Sequence, residues 1–157
     1  MKIRLITVGK TNKSYFLEAE HEYIKRLGKY VSFEKLELPD VKNAKSMPAE
    51  KIKLEEGKLI LSKLDPSGIL ILLDENGKEF NSVQFSGWLR QEMNRGPKSI
   101  QFVIGGAYGF SEEVYAAAKS KIALSQMTFN HQMVRMIFIE QVYRAFTILN
   151  GEPYHHA

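Results

Sequence analysis

Ile100-Gln101-Phe102-Val103-Ile104 runs straight into Gly105-Gly106-Ala107-Tyr108-Gly109, and the fold is read outward from this junction. A short, mostly apolar run ending in glycines reads as a strand covered on both faces. A second apolar stretch, Ile122-Ala123-Leu124, opens into the polar loop Ser125-Gln126-Met127-Thr128-Phe129-Asn130-His131. A long helix from 132 to about 149 follows, and the chain closes with Glu152-Pro153-Tyr154-His155-His156-Ala157. Two strand ends, each followed by a glycine-rich or polar loop, make a place where backbone groups can hold a small ligand.

The rest of the chain alternates strands with helices. Residues 2–8 are β-branched and apolar and stop at Gly9, as a first strand would. Phe16, Tyr23, Ile24 and Leu27 recur near helical spacing after Ser14, and Gly28 can end that helix. Residues 33–38 alternate apolar with charged, the pattern of a half-exposed strand, and Pro39-Asp40 stops them. Ser46, Pro48 and Glu50 signal a helix start, and Ile52, Leu59, Ile60 and Leu64 give that helix its apolar face. Residues 68–73 form the most apolar strand, and residues 74–78 read as a polar loop. Asn81 and Gln84 resemble a capping pair for a helix to about 94, and Ser111 starts a shorter helix to about 119. Strands separated by crossover helices predict an α/β domain with a mostly parallel sheet flanked by helices.

Composition narrows the class. With 157 residues, 44% hydrophobic and 25% charged, the chain fits one domain with a real core. Cysteine is absent, which excludes disulfides and cysteine catalysis and fits a reducing compartment. The start, Met1-Lys2-Ile3-Arg4, lacks a signal-peptide core, and the longest apolar run, 69–73, is too short to span a bilayer. A soluble cytoplasmic protein is expected, without a membrane partner. Net charge +4 is compatible with a nucleic-acid partner.

Several common signals are missing. Neither a Walker A loop nor a Gly-x-Gly-x-x-Gly fingerprint occurs. Gly105-Gly106-x-x-Gly109, taken alone, reads first as a tight strand-to-helix turn and only second as a ligand cradle. The four histidines, His21, His131, His155 and His156, lack metal spacing, so no metal is expected. No serine sits in a nucleophile-elbow context.

The combination is more specific than its parts. Val103-Ile104-Gly105-Gly106-x-x-Gly109, Leu124-Ser125-x-Met127-Thr128-Phe129-x-His131-Gln132-Met133-x-Arg135, Glu140-Gln141-Val142-Tyr143-Arg144-Ala145 and Pro153-Tyr154-His155 together resemble the RlmH (YbeA-like) family of small bacterial SPOUT methyltransferases. The opening Lys2-Ile3-x-Leu5-x-x-Val8-Gly9-Lys10, then Glu22-Tyr23-x-Lys25-Arg26-Leu27 and Glu55-Glu56-Gly57, extend the resemblance over nearly the whole chain. It implies a single SPOUT domain over 1–157, with a deep C-terminal trefoil knot in a cofactor-binding part from about 68 to 157, a rare exception to unknotted topology. It also implies a homodimer that uses S-adenosylmethionine to methylate N3 of a pseudouridine in the intersubunit-bridge hairpin of 23S rRNA, within the assembled 70S ribosome. Carried over by position, the cofactor-binding residues are Leu73, Gly105, Leu124, Ser125, Gln126, Met127, Thr128, Phe129 and Asn130.

Two positions depart from the family pattern. Asn130 stands where proline is common, and His156 stands where Lys or Arg is usual. The first changes backbone freedom beside the cofactor loop; the second removes a permanent charge able to touch phosphate.

The expected chemistry needs a proton acceptor for the ring imide and a cation for the charge developing on the ring. His155 is the expected base, Tyr154 the stacking or orienting group, and Arg135 and Arg144 the anion or phosphate contacts. Glu140 and Arg144 stand four apart, so they can equally brace one another, and His131 can orient the cofactor loop. Tyr143 and Phe146 read as core or dimer contacts. Two alternatives stand beside this reading: a SPOUT enzyme acting on another RNA, and a non-catalytic ribosome-binding assembly factor. The binder would use Lys25, Arg26, Lys29, Lys42, Lys45, Lys51 and Lys53 on phosphates. A tRNA target is disfavoured because no appended RNA-binding domain is seen.

Overall fold

Strand β4 (Ser99–Ile104) is buried at every residue, as a strand at the centre of a two-faced sheet must be. In the computed structural model, which describes residues 1–156, it lies third in a five-stranded sheet. The last residue of the expected domain, Ala157, lies outside the described residues. The other strands are β1 (Lys2–Val8), β2 (Ser32–Leu38), β3 (Ile69–Glu79) and β5 (Ser120–Ala123), in the order β2-β1-β4-β3-β5. All neighbouring pairs are parallel, with Leu5 opposite Phe102 and Ile71 opposite Phe102 on the other side. The domain is therefore α/β, as the alternation of elements predicts.

Helices cover both faces. Helices α1 (Ser14–Leu27), α3 (Ser82–Asn94) and α5 (His131–Leu149) pack over one face around Phe102, Phe138 and Leu89. Helices α2 (Ala49–Ser62) and α4 (Glu112–Ala117) cover the other, where Ile6, Leu72, Val103 and Val114 meet. Helix α3 starts with the expected capping box, Asn81 accepting from the Gln84 N–H and Gln84 from the Asn81 N–H. Two further starts differ from expectation. Ser46 does not cap α2: it lies in a short 3-10 turn and donates to the Asn43 carbonyl, and Pro48 occupies the cap position. Helix α5 begins one residue earlier than its apolar spacing suggests, because the Asn130 side chain accepts from the Gln132 and Met133 N–H groups.

The expected loop at 74–78 is instead an excursion within a longer strand. Leu73 and Lys78 both stand opposite Ile122, so residues 74–77 are looped out and β3 resumes at Lys78 and Glu79. Gly77 makes this possible: a Cβ there would lie 2.6 Å from the Ile122 backbone nitrogen and carbonyl carbon.

Candidate cofactor cleft and the cavity beside it

Because every strand points the same way, the excursion within β3 and the loops leaving β4 and β5 gather at one edge, where open α/β sheets bind ligands. They enclose a cleft of about 410 Å³, within the range of small-molecule sites. Leu73, Ile104, Leu124, Phe129 and Val134 give it apolar walls, and the 105–109 turn forms one side. Of the residues expected to hold the cofactor, Leu73, Gly105, Leu124, Ser125, Met127, Thr128 and Phe129 line the cleft. Gln126 and Asn130 do not line it, and Asn130 instead fixes the start of α5. The φ of Asn130 is −55°, a value proline also adopts, so the departure from proline keeps the backbone course and adds a cap.

Two features of the cleft, the approach of Asp74 and Asn76 and that of Tyr115, escape a reading of local sequence, whereas His131 stands where its expected role beside the cofactor loop puts it. The excursion 74–77 brings Asp74 and Asn76 to its mouth. Tyr115, from α4, donates its hydroxyl to Asp74, and burial together with that carboxylate pushes its pKa up to about 12. His131 and Val134 enter from the first turn of α5. The shape suits the expected cofactor. Gly105 is bare where a Cβ would sit 2.9 Å from the Phe110 ring, so the turn can lie flat beneath a ligand. Ser125 accepts from the Met127 N–H and shapes the loop after β5. Among the described residues, no group of three or more histidine or acidic side chains is disposed to hold a metal ion, and no helix is long and apolar enough to cross a membrane.

The expected catalytic residues fall in two other places. Tyr154 and His155 lie in a 3-10 turn (Pro153–His155) that packs on α5. This tail is a built structure rather than a loose end. The Tyr154 hydroxyl bonds to Tyr23 and to Glu140 at 3.0 Å each, and burial first, then these partners, raise its pKa. Arg144 donates to Glu140 at 2.7 Å and to His155 Nδ1 at 3.1 Å, and its guanidinium lies 4.8 Å from the Tyr154 ring centre. The brace with Glu140 and the contact with the tail therefore coexist. A guanidinium only donates, so His155 Nδ1 accepts and its proton sits on Nε2. Tyr154 packs on Tyr143, and a rise of ~1.5 Å per residue puts about 18 Å of helix between Tyr143 and His131 at the cleft. Within one chain, then, Arg144, Tyr154 and His155 come together but stand away from the cleft.

Arg135 lies elsewhere again. It is buried, donating to the Val8 carbonyl at 2.8 Å and to Thr11 Oγ1 at 3.0 Å, with Glu37 at 3.6 Å. Burial pushes the Glu37 carboxyl up, but the Thr11 N–H, Lys35 and Arg135 outweigh it and hold it below the usual range. Lys35 also bonds buried Glu20, tying α1 and β2 to the loop after β1. Arg135 lines a second cavity, of about 840 Å³, that adjoins the cleft.

Comparison with known proteins agrees with this architecture. A family model described as "Predicted SPOUT methyltransferase" matches residues 1–155. The chain is 58% identical over 156 residues to a protein of Parabacteroides distasonis named ribosomal RNA large subunit methyltransferase H, covering 99% of each chain. Proteins of the same name from Flavobacterium johnsoniae and Bacteroides thetaiotaomicron are 54% and 48% identical over 156 residues, again covering 99% of each chain.

Proposed function

Because the chain belongs to the SPOUT methyltransferase family, we propose that it methylates N3 of a pseudouridine in the intersubunit-bridge hairpin of 23S rRNA, in the assembled 70S ribosome of the cytoplasm. The cleft at the carboxyl edge of the parallel sheet carries this reading, since it joins the resemblance of the 103–109 and 124–135 segments to one physical site. S-adenosylmethionine, when bound there, supplies a methyl group on a sulfonium, already an electrophile. Leu73, Leu124 and Phe129 would bury its apolar parts, and the backbone of 105 and 125–129 would read its polar edges. The same reading places the knot in the C-terminal part of the chain.

The residues of the tail act on the ring. Loss of the imide proton needs an acceptor, and His155 offers one once Arg144 turns from Nδ1 toward an RNA phosphate. Tyr154 holds the imidazole turn against Tyr143 and Tyr23. The separation along α5 calls for a second copy: in a homodimer whose α5 helices run in opposite directions, the partner's His155 stands at this cleft. Met133, on α5, and Met127, beside the cleft, are exposed apolar side chains that such a partner would cover. Arg135 serves the site from within, holding the end of β1 beside the second cavity.

The test is transfer of radiolabelled methyl from S-adenosylmethionine to ribosomes from a strain lacking this gene, with the labelled nucleoside identified by mass spectrometry. Label on N3 of a single 23S pseudouridine is the expected result. Cofactor binding without label would point to another RNA target or to an assembly factor on the same fold. His155→Ala should abolish transfer while calorimetry shows retained cofactor binding; full activity would remove His155 from the chemistry.

A further inference from the structure

Gly106, Ala107 and Tyr108 line both the cofactor cleft and the second cavity, so a single layer of chain forms the wall between them. Gly105 lines only the cleft, and Glu56, on α2, lines only the cavity. Glu56 is 8% exposed and lies against the wall from behind: a Cβ on Gly106 would meet its Oε2 at 2.4 Å and its Oε1 at 2.7 Å. The Gly106 N–H faces this carboxylate. The next residue fixes the same helix to the far end of the turn. A Cβ on Gly57 would lie 2.4 Å from Ser111 Oγ, and Ser111 caps α4 by accepting from the Val114 N–H. Glu56-Gly57, part of a motif that the cofactor cleft leaves without a role, thus touches the stretch 106–111 at both ends.

A trans peptide unit is planar, so its N–H and C=O point in opposite directions. The unit joining Gly105 to Gly106 carries the Gly106 N–H and the Gly105 carbonyl. With the N–H turned toward Glu56 behind the wall, the carbonyl is turned toward the cleft, where it can accept from an N–H or O–H of a ligand. The two residues do not enforce this by themselves. Glycine has no Cβ, so a Gly-Gly peptide can turn over with little steric penalty. The carboxylate supplies the preference. Ionised, it accepts the N–H and repels a carbonyl, and Asp40 adds negative charge on the same side. Resting on S-adenosylmethionine as the ligand of the cleft, we propose that Glu56 is a positioning residue, which orients the Gly105–Gly106 peptide from behind the wall and so keeps the Gly105 carbonyl aimed at the cofactor.

The test uses the full-length protein, first free and then with S-adenosylmethionine. Glu56→Met keeps the volume and removes the acceptor, whereas Glu56→Gln keeps the shape and can either accept the N–H or donate to a reversed carbonyl. In ¹⁵N-labelled protein without ligand, the Gly106 amide proton should stand downfield in the wild type, as a donor to a carboxylate, and move upfield in Glu56→Met. Calorimetry should show S-adenosylmethionine bound about tenfold more weakly by Glu56→Met, the loss expected when the competent peptide is populated at about one tenth. Glu56→Gln should fall between. In methyl transfer, KM for S-adenosylmethionine should rise by the same factor while kcat stays within about twofold, because the enzyme with cofactor bound is unaltered. A purely structural role would lower the melting temperature without this split. An unmoved Gly106 amide, or wild-type cofactor affinity in folded Glu56→Met, would overturn the assignment. Should Glu56→Met melt below the wild type, Glu56→Gln decides, and wild-type affinity there overturns it. A shifted amide in a wild type that does not bind S-adenosylmethionine would keep the Glu56–Gly106 contact and remove the cofactor reading instead.

Discussion

Replacing Gly77 with alanine tests how the cleft is built. The added methyl would lie 2.6 Å from the Ile122 nitrogen and carbonyl carbon and 2.7 Å from its Cα. Comfortable carbon contacts lie at about 3.5–4.0 Å, so the methyl is about 1 Å too close. The obstacle is backbone, and rotamer changes cannot relieve it. Either residues 74–77 lift away or β5 moves, and both break the pairing of Lys78 with Ile122 and Glu79 with Ala123. Losing two such backbone pairs at about 1 kcal/mol each, with residual crowding of about 1 kcal/mol, gives a destabilisation of about 3 kcal/mol. That is a large share of the 5–15 kcal/mol typical of a domain. Urea unfolding followed by circular dichroism should show a lower midpoint at unchanged slope. Calorimetry under folded conditions should show S-adenosylmethionine affinity reduced at least about tenfold, since Leu73, Asp74 and Leu124 all line the cleft beside this crossing. A stability loss below about 0.5 kcal/mol with unchanged affinity would refute the reasoning, showing that the excursion does not depend on close approach to β5.

Three further outcomes follow from named contacts. Asn130→Ala should cost about 1 kcal/mol in urea unfolding through loss of the α5 cap. Asn130→Pro, compatible with φ of −55°, should cost less than Asn130→Ala because it also restrains the unfolded chain. Tyr154→Phe should lower stability by about 1–2 kcal/mol, as Glu140 and Tyr23 each lose a partner, with cofactor affinity unchanged by calorimetry. Glu56 sets a pH dependence: burial first, and then Asp40, hold its carboxyl above the ordinary value of 4.5, against the pull of the Gly106 N–H. The folded state therefore binds this proton more tightly than the unfolded state, and the contribution is full below pH 4.5 and lost as pH rises through the folded value. Glu56→Gln should gain melting temperature relative to wild type between acidic and neutral pH; a gap that stays constant with pH would contradict this sign.

The strands and helices were legible in the sequence because their causes are local. Residues 100–104 read as a covered strand from their apolar run, and Asn81 with Gln84 read as a capping box from their spacing. Most of the cleft was legible too, since Gly105 and the 124–129 loop carry the family motif in consecutive residues. Residues 74–78 read as a loop in the sequence, because a strand that leaves its neighbour and rejoins it at Lys78 has no local signature. Asn130 reads in the sequence only as a departure beside the cofactor loop, because its capping of α5 depends on a backbone course that the motif does not record.

By itself, the sequence determined the α/β class, most element boundaries and the family, since each follows from short-range periodicity, caps and contiguous motifs. Only the tertiary structure decided the strand order β2-β1-β4-β3-β5, the docking of Tyr154 on Tyr23, the commitment of Arg135 to Val8 and Thr11, and the meeting of Glu56 with Gly106. Those contacts join residues far apart along the chain, Tyr23 and Tyr154 by 131 positions and Arg135 and Val8 by 127. Their partners are chosen by packing against a shared sheet, and no local pattern of residues records that choice.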